Sequence, residues 1–561
     1  MKRGMHFFFV LLGSLLVACG SPELDLIVRG GQVLDGTGAP VQRADIGIEG
    51  DRIAAMGDLS DRRAKREIEA TGMVVAPGFI DVQGQSGTTL LADGNGESHI
   101  RQGITTEIIG EGNTPALWTA DTLDENAIER FHLSFDWDGF EGYLRRLESK
   151  GISINVGSLI PATMVRIEVI GYDNREPNAE ELERMKSIVE TAMEEGGFGL
   201  SSALIYPPGA YAQTEELVAL AKVAARYRGI YISHVRGESF RLKEAIGEAI
   251  QIGEEAGLPV VIYHLKVAAK PHWGTMGEIG ELIEQARERG LEVSACQYPY
   301  TAGGTSLIAC LPAWAQEGGR EQALARIADP ELRARMRKEI ETTIDGWENL
   351  IAGSGFDGIQ IASLPREMDS SLLGKRLSEI AAERKEDPWD TFFWLLTESE
   401  GRAGALYHMM SEEDVRTAMR FPWVSVGTDS AALSLEGELA RGQPHPRAFG
   451  TFPRILGRYV REEKVLDLPE AIRKMTSLAA AQLHIPERGT LREGYFADLV
   501  VFDPATVIDR ATFENPKQYS TGVDTVIVNG TVTVEHGRHT GAHAGRALFG
   551  PGYKGTPTPS P

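Results

Sequence analysis

The sequence predicts an α/β protein: a (β/α)8 barrel of the TIM type with a small β-sandwich domain built from both chain ends. Two observations predict the barrel. The central part of the chain repeats a unit in which an apolar run ends in a polar residue and a helical stretch follows. The unit occurs eight times, and strands that alternate with helices imply a parallel sheet. A third observation, β-rich segments at both chain ends, predicts the second domain.

The apolar runs define the strands of the predicted barrel. They are GFIDVQ (78–83), ITTEIIGE (104–111), ISINVGS (152–158), GFGLSSA (197–203), GIYISHV (229–235), PVVIYHL (259–265), EVSACQY (292–298) and WVSVGTD (423–429). Helical stretches separate several of them, at 180–196, 214–227 and 276–290. A doubly wound open sheet is the alternative fold. It is disfavoured because no G-x-G-x-x-G follows the first strand.

The remaining segments set the domain boundaries. We expect the sandwich to comprise residues 24–72 and 481–548, since neither piece is large enough to bury a core alone. The barrel then covers 73–480. Its long insertion at about 299–422 is predicted to form a lid over the barrel mouth. The Pro-rich tail, 549–561, is predicted to be disordered.

The first 19 residues predict export. Two basic residues precede an apolar stretch at 7–17, which is too short to span a bilayer with certainty and is typical of a signal peptide. The stretch ends in LVAC (16–19), which resembles a bacterial lipobox. We therefore expect a lipoprotein on the periplasmic side, with Cys19 carrying the lipid anchor and Gly20 favouring the outer membrane. An ordinary signal peptide with an incidental cysteine is the alternative.

Composition narrows the partners. The net charge of −23 argues against nucleic acid or anionic lipid headgroups as partners. The hydrophobic content of 42% is ordinary for a globular protein of this length. Apart from Cys19, the cysteines are Cys296 and Cys310, which form no disulfide framework. The sequence leaves open whether they pair, and it leaves the oligomeric state open.

Three polar residues at strand ends predict a catalytic centre. His234 and His264 end the fifth and sixth runs, so they lie on adjacent strands. Two neutral imidazoles in that position can converge on one cation. Asp429 ends the eighth run, which closes the ring beside the first. A lone histidine at a strand end is usually structural, but three such groups in barrel order favour catalysis.

Longer motifs extend over nearly the whole chain after the signal. They are GFGLSSALIYPPGAY (197–211), ISHVRGE (232–238), VIYHLKVA (261–268), QYPYTAGGTSL (297–307), VSVGTDS (424–430), HPRAFGTFPRILGRYV (445–460) and RGTLREGYFADLVVFDP (488–504). Together they resemble the N-acyl-D-amino-acid deacylase (D-aminoacylase) family of the amidohydrolase superfamily.

The resemblance implies a role for each site residue. His234 and His264 would be metal ligands, and Asp429 would be the acid/base group. Lys266 and Tyr298 would hold the substrate, with Ser306 or Arg236 as further candidates for its carboxylate. The alternative for the two cationic residues is pairing with local acids such as Glu238.

The chain departs from the family pattern at the metal. Gln83 and Gln85 stand where relatives carry His-x-His, and an amide oxygen is a poor zinc ligand. A metal-binding cysteine in G-N-C-G is replaced by Gly-Glu-Gly-Asn (110–113), where Glu111 can supply an oxygen from the same loop. Likewise, Ile-Pro-Ala (160–162) stands where many relatives have Gly-His. The resemblance with these departures implies one tightly bound divalent metal, zinc, held by Glu111, His234 and His264. The alternative for Glu111 is a solvated loop carboxylate.

The predicted function is metal-dependent amide hydrolysis that releases a D-amino acid and a carboxylate from N-acyl-D-amino acids. A metal-activated water would attack, with Asp429 as proton shuttle. The alternatives are a D-dipeptidase or cyclic amidase on the same scaffold, and a non-catalytic binding protein that has lost its chemistry with the His pair.

Overall fold

The computed structural model describes residues 23–120, 122–342 and 347–556. The strands are β1 (Leu24–Val33), β2 (Gln42–Glu49), β3 (Arg52–Gly57), β4 (Ala64–Glu69), β5 (Val74–Pro77), β6 (Phe79–Asp81), β7 (Ile104–Ile109), β8 (Asn155–Ser158), β9 (Ile160–Pro161), β10 (Gly199–Ala203), β11 (Ile230–His234), β12 (Val260–Ile262), β13 (Val293–Gln297), β14 (Gly303–Ser306), β15 (Ile359–Ser363), β16 (Gly404–Tyr407), β17 (Val424–Val426), β18 (Leu499–Phe502), β19 (Val523–Val528), β20 (Thr531–Glu535) and β21 (Arg538–His539).

The helices alternate with the central strands. They are α1 (Thr89–Ala92), α2 (Glu97–Ile100), α3 (Glu125–Phe131), α4 (Gly139–Lys150), α5 (Ala162–Ile170), α6 (Ala179–Glu194), α7 (Thr214–Arg226), α8 (Leu242–Ala256), α9 (Met276–Glu288), α10 (Arg320–Ala328), α11 (Pro330–Thr342), α12 (Leu350–Ser354), α13 (Leu377–Arg384), α14 (Pro388–Glu398), α15 (Glu412–Arg420), α16 (Arg447–Arg454), α17 (Leu468–Met475) and α18 (Ser477–Gln482). A π-helical segment, Ile455–Glu462, continues α16.

All eight predicted runs are strands, which confirms the α/β class. They pair in two parallel sheets, β6-β7-β8 and β17-β13-β12-β11-β10-β9, in which β9 is a short addition. The described strands therefore do not form one continuous closed sheet. Backbone hydrogen bonds cross both gaps: Phe198 N–H donates to Ser158 O at 3.0 Å, and Asp429 N–H donates to Gln83 O at 2.9 Å.

Apolar helix faces cover the outside of these strands. The helix α6 begins at a capping box formed by Asn178 and Glu181, and its buried residues are Met185, Val189, Ala192 and Met193. The helices α7 and α8 likewise bury one face each against the sheet. Because all central strands run parallel, their carboxyl ends lie at one edge, where loops carry the polar side chains.

Strands from the two chain ends lie in one sheet. A nine-stranded sheet in the order β21-β20-β19-β18-β5-β1-β2-β3, with β4 beside β1, joins them through the antiparallel pair β5–β18. The strand β5 thus belongs to this sheet, although the predicted boundary placed residue 73 onward in the barrel. The buried Arg488–Asp498 ion pair links the sheet to the parallel strands, because Asn155 of β8 also donates to Asp498, at 3.2 Å.

The predicted lid segment, 299–422, contains a small antiparallel sheet, β14-β16-β15, and the helices α10 to α15. The prediction of a disordered tail is wrong for residues 549–556. Phe549 stacks on Tyr553 at 4.1 Å between ring centroids, and Gly550 N–H donates to Gly196 O. The remaining tail residues and the leader with Cys19 lie outside the described residues. Within the described ranges, no helix has the length and apolar character needed to cross a membrane.

Candidate active site

A cavity of about 570 Å³ opens at the carboxyl ends of the parallel strands. The loops after β6 and β7, the ends of β11 and β12, and the loop after β17 all reach it. The predicted lid contributes residues from β14, α12 and β16. The lining residues on which the site depends are Gln85, Glu111, Tyr206, His234, Glu238, His264, Lys266, Tyr298, Ser306, Asp429 and Arg447.

Three buried ligand atoms converge at the floor of this cavity. Glu111 Oε1 lies 2.9 Å from His234 Nδ1 and 3.3 Å from His264 Nε2, and the two ring nitrogens are 3.0 Å apart. Ligands of a tetrahedral zinc ion, each about 2.0–2.2 Å from the metal, would be separated by about 3.3–3.6 Å, slightly more than the spacings of the three atoms here. One carboxylate oxygen and two imidazole nitrogens at these spacings fit a divalent ion.

The second oxygen of Glu111 faces the two glutamines. Gln83 Nε2 donates to Glu111 Oε2 at 2.8 Å, and Gln85 Nε2 donates to the same oxygen at 2.6 Å. Burial raises the pKa of Glu111, but hydrogen bonds to His234 and His264 and the charge of these imidazoles outweigh burial and hold that pKa well below its usual range. Gly84, between the glutamines, lets the backbone lie against the side chain of Glu107, because a Cβ at this position would lie 2.2 Å from Glu107 Cγ.

A buried ion pair supports His264 from behind. Lys266 Nζ donates to Glu238 Oε1 and lies 2.7 Å from His264 Nδ1, which is itself 2.9 Å from Glu238 Oε1. Burial and Lys266 lower the pKa of His264, but Glu238 and the other nearby carboxylates outweigh them and raise it to about 9. These contacts at Nδ1 fix the ring of His264 so that its Nε2 faces Glu111. Metal-binding histidines are commonly oriented in this way by a partner on the other ring nitrogen.

Asp429 enters the cavity from the loop after β17. Arg447 Nη1 lies 2.7 Å from Asp429 Oδ2, a close ion pair although the N–H bond is not aligned for a hydrogen bond. Burial raises the pKa of Asp429, while the charge of Arg447 opposes that shift. Asp429 and His264 have φ of +49° and +34°, a region that residues other than glycine occupy uncommonly, although aspartate and histidine occupy it more often than most.

Of the four predicted substrate-binding residues, three line the cavity and one does not. Lys266, Tyr298 and Ser306 line the cavity. Burial raises the pKa of Tyr298 well above its usual range, so the hydroxyl stays protonated and can donate a hydrogen bond. Arg236 does not line the cavity. Its guanidinium contacts Glu248 and the carbonyl oxygens of Ala210 and Ala212, which corresponds to the alternative of pairing with local acids.

Sequence reasoning gave no role to Arg447 and Tyr206, and it named Glu238 only as an alternative ion-pair partner. All three lie within motifs that carried the resemblance, which was the available signal. Arg447 also stacks on Tyr298, with its guanidinium carbon 4.5 Å from the ring centroid. Tyr206 packs edge-on against His234 at 5.3 Å between ring centroids.

The cysteines do not form a bridge within the described part of the chain. Cys296 and Cys310 are both free and buried. Cys296 Sγ donates to Gln83 Oε1 at 3.4 Å and accepts from His264 N–H at 3.3 Å. The thiol therefore contacts the backbone of the candidate ligand His264 and the side chain of Gln83, which bonds the candidate ligand Glu111.

A second buried cluster, Asp81, His99 and Glu107, lies beneath the cavity. His99 Nδ1 and Glu107 Oε2 are 2.8 Å apart, and Thr428 donates to both oxygens of Asp81. Burial raises the pKa of Asp81 to about 6. Because protein donors already occupy these carboxylate oxygens, the cluster ties β6 to β7 and to the loop that carries Asp429.

Comparisons with known proteins agree with the motif-based resemblance. A sequence model described as the amidohydrolase family matches residues 66–534. D-aminoacylase of Alcaligenes xylosoxydans xylosoxydans is 36% identical over 538 residues, covering 94% of this chain and 98% of the relative. The crystal structure of N-acyl-D-glutamate deacylase from Bordetella bronchiseptica, complexed with zinc and a phosphonate mimic of the tetrahedral intermediate, is 32% identical with a TM-score of 0.79, covering 94% of this chain and all of that one.

A third similar structure bears on metal number. It is a D-aminoacylase described by one-metal activation and second-metal attenuation of a binuclear centre. It is 35% identical, with a TM-score of 0.78, and the match covers 94% of this chain and 100% of that chain.

Proposed function

Because this chain belongs to the amidohydrolase family, we propose that it hydrolyses the amide bond of N-acyl-D-amino acids and releases a D-amino acid and a carboxylate. The observation that carries the proposal is the convergence of Glu111, His234 and His264 in a cavity that Asp429 also lines. A binding protein would need neither a ligand cluster nor a carboxylate kept beside a guanidinium. The named relatives, a D-aminoacylase and an N-acyl-D-glutamate deacylase, supply the substrate class.

We propose that the cluster holds one divalent ion, zinc, through Glu111, His234 and His264. The donor set fits, since carboxylate and imidazole are ordinary zinc ligands. When bound, such an ion lowers the pKa of a water molecule and polarises the scissile carbonyl. The amide nitrogens of Gln83 and Gln85 point at Glu111, so neither can replace the imidazole of a His-x-His pair.

The protein's own side chains perform the proton transfers. Asp429 accepts a proton from the attacking water and returns it to the nitrogen of the departing amine. Tyr298 stays protonated and can donate a hydrogen bond to the developing oxyanion. Lys266 and Arg447 line the cavity as candidates for the substrate carboxylate, although in this structure Lys266 is paired with Glu238 and Arg447 with Asp429, and Ser306 adds a hydroxyl.

The test is a hydrolysis screen paired with metal analysis of the purified protein. We expect release of the D-amino acid from N-acyl-D-amino acids, none from the L-enantiomers, and close to one firmly held metal per chain. D-dipeptides and cyclic amides belong in the same screen. Turnover confined to one of those classes, or no turnover in the metal-loaded protein, would overturn the proposed substrate. Two firmly held metals would overturn the mononuclear centre.

We also propose that the two parallel sheets act as one eight-stranded barrel. Support comes from the backbone hydrogen bonds across both gaps and from a parallel bridge between Gly84 and Ser430. In such a barrel the carboxyl ends of all eight strands face one mouth, which is where the cavity lies.

Export with a lipid at Cys19 remains a proposal that rests on the basic start, the apolar stretch and the LVAC sequence. Cys19→Ala is expected to abolish palmitate labelling and to release the protein from the membrane fraction. Equal labelling of the variant and the wild type would refute lipidation at this residue.

A further inference from the structure

Gln83 and Gln85 are more than replacements for missing ligands, because both donate to one oxygen of Glu111. The other oxygen, Oε1, faces His234 Nδ1 and His264 Nε2. The two oxygens of the carboxylate therefore have different partners: Oε2 accepts from the two amides, and Oε1 faces the two imidazoles, where a cation would bind. Two charge-assisted hydrogen bonds to the same oxygen fix the rotation of a carboxylate more firmly than one.

The orientation of the Gln83 amide is itself fixed. Its Oε1 accepts a hydrogen bond from the Cys296 thiol at 3.4 Å. With the oxygen facing Cys296, the amide nitrogen must face Glu111. The side chain of Gln83 is 1% exposed, so water does not compete for these contacts.

We propose that Gln83 and Gln85 are positioning residues that hold Glu111 as a one-oxygen ligand and so set the affinity of a single-ion site. The inference rests on the proposed metal centre. The physical reason is that the oxygen of Glu111 that does not face the cation, Oε2, needs N–H donors. Without them, Oε2 would be a buried charged oxygen with unmet hydrogen bonds, and the carboxylate would rotate to satisfy it.

The test uses methionine, which matches glutamine in length but has no N–H donor. Gln83→Met and Gln85→Met are made singly and together, and the metal-free proteins are titrated with Zn²⁺ against a chromophoric chelator. Loss of such an outer partner typically weakens metal binding by about 10- to 100-fold, so we expect that change for each variant and a larger one for the pair.

Gln482→Met is the matched control. Gln482 is also buried and donates to two carbonyl oxygens, of Ala295 and Trp423, but it does not line the cavity. Its zinc affinity is expected to equal that of the wild type. Thermal unfolding of every variant separates a loss of affinity from a loss of folding, and the two single variants provide independent tests if one of them fails to fold.

The outcomes distinguish this inference from the proposed function. If folded Gln83→Met and Gln85→Met bind Zn²⁺ as tightly as the wild type, the positioning role is refuted and the metal centre stands. If the wild type binds one Zn²⁺ but hydrolyses no N-acyl-D-amino acid, the proposed substrate falls and the affinity comparison still decides this inference. If the wild type binds no Zn²⁺, both are overturned.

Discussion

Asp429→Asn is expected to lower turnover by about 10²–10⁴-fold, the usual cost of losing a positioned general base. The amide keeps the shape of the carboxylate but cannot accept the proton of the attacking water. Asparagine tolerates the positive φ of this position, and its N–H can still donate to Gln83 O, so the loop should be retained. Because Asp429 is outside the ligand cluster, bound metal should remain. Turnover and metal content measured on the same preparation check the prediction.

The competing interpretation is that Asp429 only shapes the loop. Asparagine serves that purpose about as well, so turnover would then stay near the wild-type level. That result would falsify the role of Asp429 as the proton shuttle.

The pH profile gives the same assignment a second measurement. The reactive form of Asp429 is the carboxylate, so activity should be lost as pH falls through its pKa. Burial raises that pKa, and the charge of Glu111 raises it further. The charges of Arg447, His264 and Lys266 lower it. Removing the opposing charge in Arg447→Met should therefore move the acid limb to higher pH. An acid limb at the wild-type pH in this variant would contradict the assignment.

His234→Ala and His264→Ala are expected to lose metal and activity together. Each removes one of three atoms that lie within 2.9–3.3 Å of one another, so the loss of affinity should exceed the about 10–100-fold that outer partners cost. Metal content after dialysis and turnover with added Zn²⁺ are the measurements. This pattern differs from Asp429→Asn, in which metal remains.

His408→Ala is the control for the histidine variants. His408 is partly buried, with a pKa lowered by burial to about 4, and it contacts Gln360 outside the cavity lining. Its loss should leave the metal content unchanged. Full metal occupancy in either His234→Ala or His264→Ala would remove that residue from the ligand set.

The strands and several site residues could be predicted from the pattern of apolar and polar residues along the chain. The eight apolar runs are strands, and His234, His264 and Asp429 stand at their carboxyl ends because a parallel topology puts every strand end at one edge. Glu111 came from the resemblance instead, because it stands in the Gly-Glu-Gly-Asn stretch that replaces the family's G-N-C-G.

The partners of these residues were not accessible to the same reasoning. Whether Lys266 meets substrate or Glu238 depends on side-chain geometry between loops, and sequence reasoning left both open. Arg447 reaches Asp429 from a helix 18 positions further along the chain. The tail was misjudged because its composition favours disorder, whereas Phe549 and Tyr553 stack on each other and Tyr553 hydrogen-bonds Glu141.

The contacts of Asp81 with Thr428, and of Gln83 with Asp429, join the first and last of the eight strands. Asp81 and Thr428 are 347 positions apart in the chain. Loop closure over such a separation is among the slowest and entropically most costly events of folding. Asp429 therefore meets the candidate metal ligands only once the eighth strand has docked. A chain that lacks that strand lacks the proton acceptor as well, so hydrolytic competence is coupled to completion of the fold.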